Sequence, residues 1–176
     1  MNTRLFSSEA NGLYSELDRV QFDAEGAELT FVQRLTSENG WRIKYTERVL
    51  VEYRRFLILV KLTEASLSPS DAVDQAWHLH LLYSQSYWDE LCAQFLQKPL
   101  HHQPMNKAGK DKELFYAQYG RTLVRYREVF GENPPEDIWP RERKKIANAR
   151  FQRIDMNDYN SKISYCKFFA FAGAVI

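Results

Sequence analysis

The residues with chemistry to offer are gathered in two short stretches. "VDQAWHLHLLYSQSYW", Val73 to Trp88, sets Asp74, His78 and His80 among aromatic side chains, and "PLHHQP" downstream adds His101 and His102. These are all four histidines of the chain. A carboxylate with several imidazoles suits zinc or a similar first-row ion, and Cys92 is a further candidate ligand, although a lone cysteine also serves as a small buried residue. With an open coordination position such an ion activates water, and Asp71 or Glu90 would then be the candidate base.

Spacing restricts the set. On an α-helix residues four apart share a face, whereas residues two apart project about 200° from one another. Asp74 and His78 therefore sit together, with Asp71 one turn before them. His80 turns toward Trp77 and the core, so a single ion cannot take both His78 and His80 on a regular helix. A loop carrying His101 and His102 can fold back over Asp74 and His78, which predicts a metal set of Asp74, His78, His101 and His102 with Cys92 as an addition. Trp77, His80, Tyr83 and Trp88 are the candidate lining for a small organic ligand. The plainer reading is that the aromatics, Tyr87 with them, bury area and that Asp74 accepts hydrogen bonds from imidazoles acting as structural anchors. Spacing alone leaves these readings open.

The elements that must position these residues are helices. "ELTFVQRL", Glu28 to Leu35, is a short amphipathic piece ended by "TSENG". "WRIKYTERVLVEYRRFLILVKLT", Trp41 to Thr63, has no Gly or Pro and repeats Val49, Tyr53, Phe56, Leu57 and Val60 on one face, so it is expected to be the longest, central helix. Ser68, Pro69 and Asp71 read as N-cap, first helical position and capping-box acid of a helix that runs to Phe95, with a break near Ser84 to Ser86. Glu113 to Phe130 is the next helix, ended by Gly131. The proline-fixed "ENPPEDIWP" should pack Ile138 and Trp139 back on the others. The predicted class is all-α: a single compact helical bundle with a Pro-rich loop segment and a basic C-terminal tail. The predicted divisions are an N-terminal arm (1–25), the bundle (26–140), and a basic linker with a short apolar tail (141–176).

Composition excludes some functions. The 24 basic and 23 acidic side chains nearly cancel, so nucleic acid is not an expected partner. No phosphate-cradling glycine loop, nucleophile elbow or Ser/Cys–His pairing is present. Cys92 and Cys166 lie far apart and the N-terminus has no apolar signal region, which predicts a reduced, cytoplasmic setting. "RERKKIANARFQR", Arg141 to Arg153, carries six cations against one acid. It reads as a solvated segment or one lying against anionic lipid. The nine residues from Phe168 to Ile176 are uncharged but far short of the roughly 20 that cross a bilayer. They are expected to be buried against the bundle, against a second copy as a homo-oligomer contact, or near the cytoplasmic face of a membrane.

"YRRFLILVK", "SPSDAVDQAWHLHLLYSQSYWDELC", "PLHHQP" and "FGENPPEDIWP", in that order, resemble the domain of the glycine-rich domain-containing protein-like family. The resemblance spans roughly Tyr53 to Pro140. It is closer to a bacterial branch of unassigned function, in which a similar soluble domain precedes membrane-spanning segments. It implies that Asp74, Trp77, His78, His80, Cys92, His101, His102 and Trp139 belong to one motif, and it supplies a fold but no reaction. Three functions are carried forward: a metal- or small-ligand-binding sensor or interaction module, a metal-dependent hydrolase-like enzyme, and a purely structural domain. Without a substrate-binding signature, the binding module is preferred over the enzyme.

Overall fold

The computed structural model describes residues 12–23, 26–102 and 110–141. Among them are helices α1 (residues 12–17), α2 (Phe31–Asn39), α3 (Ile43–Lys61), α4 (Asp71–Leu82) and α5 (Lys110–Phe130), with a π-helix at Ser86–Leu96 between the last two. The described residues include no strand, so the class is all-α as expected. The basic linker and apolar tail expected beyond Arg141 lie outside the described residues. No described helix is long and apolar enough to cross a membrane.

Helix α3 is the hub, packing against α2, α4, α5 and the π-helix. Its predicted face, Val49, Tyr53, Phe56, Leu57 and Val60, is buried. Ile58 is buried as well, and Leu59 meets Tyr126 and Val129 of α5 in a second small cluster. Each such side chain contributes roughly 1.5–3 kcal/mol through the apolar surface it removes from water. The longest described helix, however, is α5 with 21 residues, against 19 for α3. It begins at Lys110, three residues before the expected Glu113.

Local chemistry explains the boundaries. Helix α2 starts at Phe31 and not Glu28, because Thr30 and Gln33 form a reciprocal capping box there. It runs through "TSEN" and stops at Gly40, whose φ of 64° is the left-handed terminator. The cap of α4 is Ser70, whose hydroxyl accepts from the Val73 N–H; the expected cap, Ser68, is engaged elsewhere. Ser68 exchanges backbone hydrogen bonds with the Thr122 hydroxyl and donates its own hydroxyl to Gln118, tying this loop to α5. Pro69 thus precedes the cap.

The break expected near Ser84 to Ser86 falls at Tyr83, and the helix that follows from Ser86 is a π-helix. Its buried residues come in pairs, Ser86/Tyr87, Leu91/Cys92 and Phe95/Leu96, recurring at five and four residues. That repeat is longer than an α-helix keeps on one face, and the i→i+5 ladder accommodates it. Gln97, with φ of 57°, then turns the chain through the left-handed region into a strap without regular secondary structure, Lys98 to His102. The Lys98 N–H bonds the Cys92 carbonyl at 3.2 Å.

Both ends of the described chain join the bundle. Leu17, Val20 and Phe22, expected in an arm, are core residues. Glu90 accepts the Gln21 N–H at 2.6 Å. At the other end Ile138 and Trp139 are buried as expected, and the Trp139 indole donates to Glu52 at 2.8 Å. Tyr126 and Arg55 also bond the Glu52 carboxylate, whose pKa burial nevertheless raises.

Candidate metal centre

Helix α4 supplies two members of the cluster and the strap the third. Asp74 and His78, one turn apart, face the same side, with Asp74 Oδ2 and His78 Nε2 separated by 3.4 Å. His102 Nε2 lies 2.8 Å from Asp74 Oδ1 and 3.0 Å from His78 Nε2. These three residues form a group that could hold a metal ion. The site is graded in exposure: the His78 side chain is 52% exposed, that of Asp74 28% and that of His102 16%.

Proton counting makes the arrangement informative. His102 Nε2 carries either one hydrogen or one lone pair, yet two polar atoms approach it within hydrogen-bonding distance. If it donates to Asp74, the His78 nitrogen shares that hydrogen. If it accepts from His78, its lone pair faces a carboxylate oxygen. A cation removes the conflict, because all three atoms then present lone pairs to it. Ions held tetrahedrally at about 2.0–2.2 Å keep their ligand atoms roughly 3.3–3.6 Å apart. To take an ion, the 3.0 Å His78–His102 separation must open by about 0.3–0.6 Å and the 2.8 Å Asp74–His102 separation by about 0.5–0.8 Å.

His102 is seated by its surroundings. Its ring meets the buried Trp77 edge-on, with centroids 4.5 Å apart. Trp77 donates its indole N–H to the Tyr87 hydroxyl at 2.8 Å, and Tyr87 donates to the Leu100 carbonyl at 2.5 Å. Periodicity marks Tyr87 only as packing and does not single out Leu100. A usable signal is nonetheless present: a buried Trp and Tyr each need a partner for their polar tip.

The other predicted ligands are placed elsewhere. His101, adjacent to His102 on the strap, tilts over Trp88 at 5.7 Å and is exposed. Cys92 is buried on the π-helix, where burial raises its thiol pKa. Neither belongs to the converging group. Of the two acids considered as bases, Glu90 is engaged with Gln21. Asp71 is half-buried in the first turn of α4, where its charge helps to raise the pKa of Tyr45.

The aromatic set is similarly divided. His80 is wholly buried, with Nδ1 2.9 Å from the Tyr53 hydroxyl and Nε2 3.1 Å from the Ser86 hydroxyl. Burial lowers its pKa to about 3, so it is a neutral imidazole with one hydroxyl donating to it and the other accepting from it. Tyr83 packs on Phe31 with Arg34 over its ring. Trp88 lines a shallow depression of about 540 Å³ with Cys92, Ala93, Gln97, Lys98 and Pro99. These surroundings differ too much for Trp77, His80, Tyr83 and Trp88 to form one ligand cage.

A helical bundle with an Asp/His cluster clamped between a helix and a strap is the class that fold and site define. The chain belongs to the UCP032817-like family, whose model matches residues 28–120, a span containing all three cluster residues. No curated protein and no solved structure matches the chain.

Proposed function

We propose that the protein is a metal-binding module in which Asp74, His78 and His102 hold a first-row divalent ion, with zinc the best match to two imidazoles and a carboxylate. The observation that supports it most is the convergence of one ligand atom from each of the three residues to within 4.8 Å of one another, His102 Nε2 lying 2.8 Å from Asp74 Oδ1 and 3.0 Å from His78 Nε2. The expected result is about one equivalent of zinc by elemental analysis of protein purified without a nickel step. His78→Ala and His102→Ala should each lose it while remaining helical. Full-length, folded protein that takes up no zinc, cobalt or nickel at micromolar concentration would sink the reading.

The 2.8 Å contact between His102 and Asp74 favours one second reading, a hydrogen-bonded anchor without an ion. Under it, His102→Ala costs stability and changes no metal content. Binding stands above hydrolysis because the acid best suited by type, Glu90, already holds the Gln21 backbone. The finer kinship with the glycine-rich domain-containing protein-like family rests on the motifs from "YRRFLILVK" to "FGENPPEDIWP". A reduced, cytoplasmic setting is proposed separately, from the wide separation of Cys92 and Cys166. Membrane proximity or self-association through Phe168 to Ile176 remains part of the proposal, tested by liposome flotation and by sedimentation.

A further inference from the structure

Three elements meet at a single hydroxyl. Tyr87 accepts from the indole of Trp77 on α4 and donates to the carbonyl of Leu100 on the strap, while its own backbone belongs to the π-helix. Both of its neighbours bear on His102. Leu100 lies two residues before it in the chain, and Trp77 is the surface on which its ring sits. The π-helical register makes this geometry available, because it turns consecutive residues inward. Ser86 reaches His80 while Tyr87 reaches Trp77.

We propose that Tyr87 is a positioning residue for the ion site, fixing through Trp77 and Leu100 where His102 presents Nε2 to Asp74 and His78. The inference rests on the metal-binding reading above. Phenylalanine at this position keeps the ring but removes both hydrogen bonds. The strap then keeps its Lys98–Cys92 tie to the π-helix but loses the one at Leu100, and the indole beneath His102 loses the partner that sets its orientation. Outer-shell hydrogen bonds of this kind typically change metal affinity by about 10–100-fold.

The experiment compares full-length wild type, Tyr87→Phe and Val129→Ala by zinc competition with a chromophoric chelator at 25 °C, alongside thermal melts. Val129 lies in the separate cluster with Leu59 and Tyr126 and serves as the stability control. Tyr87→Phe is expected to bind zinc about 10–100-fold more weakly with unchanged helical content. Its backbone amides from Leu100 to His102 should exchange faster with deuterium in metal-free protein. Val129→Ala is expected to lower the melting temperature but keep zinc affinity within about threefold. Should Tyr87→Phe not fold, Trp77→Phe cuts the relay at its donor end, leaves the Tyr87–Leu100 bond, and must still weaken zinc binding by more than about threefold. Zinc affinity within threefold of wild type in the folded relay variant overturns the inference, as does an equal loss in Val129→Ala or, in Tyr87→Phe, unchanged amide exchange in the strap. Wild-type protein that binds no zinc instead overturns the site itself, and the inference with it.

Discussion

His78 and His80 are two residues apart on one helix, and the bundle makes them different chemical groups. His80 lies on the inward face of α4, where Tyr53 and Ser86 occupy both ring nitrogens and burial keeps it neutral. His78 lies on the outward face, half-exposed, with a carboxylate and another imidazole at its Nε2. Residue type alone says little about either. Helix phase decides which imidazole serves the core and which is left for a ligand, and the two should separate under mutation.

The largest separation is in stability. His80→Ala is expected to cost about 3–5 kcal/mol, since it empties a packed aromatic-sized volume and strands two buried hydroxyls. His78→Ala should stay within about 0.5 kcal/mol in metal-free protein, as exposed sites usually do. Urea denaturation of both variants checks the contrast; comparable losses would mean that the outward face is structural too.

The next effect belongs to the outward face. A ligand that binds only the folded state stabilises it by about 2.7 kcal/mol at 100 times its dissociation constant. Zinc at that level should raise the melting temperature of wild type and of a folded His80→Asn variant, but not of His78→Ala. A zinc shift that survives in His78→Ala would place the ion elsewhere.

Much of this comparison was legible in the sequence, and the missing parts have identifiable causes. The opposed directions of His78 and His80 follow from 100° per residue, and the closeness of Asp74 and His78 from a four-residue step. Glu52 stands three residues after Val49 and four before Phe56, in phase with the apolar face, but a carboxylate there carries no local sign of burial. Its burial depends on Trp139, Tyr126 and Arg55, brought to it by distant elements. Ser70 replaces Ser68 as the cap because tertiary bonds from α5 claim Ser68, which no local pattern encodes. The π-helix left a trace in its paired inward residues, but an α-helix with a break fits the same letters. Which of two adjacent histidines turns inward depends on where Trp77, Tyr87 and Leu100 fix the strap.

The inward histidine also predicts a pH dependence. His80 titrates near 6.5 when unfolded and at about 3 when folded, so below 6.5 the unfolded chain takes up a proton that the native state refuses. Its contribution is fully present above pH 6.5 and is lost as pH falls toward 3. The slope approaches about 1.4 kcal/mol per pH unit. Glu52 acts in the opposite sense: its raised pKa favours the fold below its unfolded value and gives that stability up as pH rises through the folded one. Urea midpoints between pH 6.5 and 5 should therefore fall more steeply in wild type than in His80→Asn, where the carboxylate contributions are shared. Parallel slopes would show that the native core accommodates a charged His80.

The smallest expected effect falls on His101, and it sharpens the comparison most. In the sequence His101 and His102 are equivalent, neighbours in "PLHHQP" with the same chemistry and the same reach. In the folded chain the two rings rest on different neighbours. His102 goes to Trp77 and Asp74, whereas His101 goes to the half-exposed Trp88. The His101–Trp88 contact is solvent-facing, so its loss should change stability by no more than about 0.5 kcal/mol. His101→Ala should retain one equivalent of zinc, with affinity within about threefold of wild type, while His102→Ala retains none. The paired measurement reads the strap's register directly. If His101→Ala instead weakens zinc binding tenfold or more, the strap is rotated in the metal-bound protein. The ion would then draw its third ligand from the Trp88 side, and Tyr87 could not be the residue that sets His102 in place.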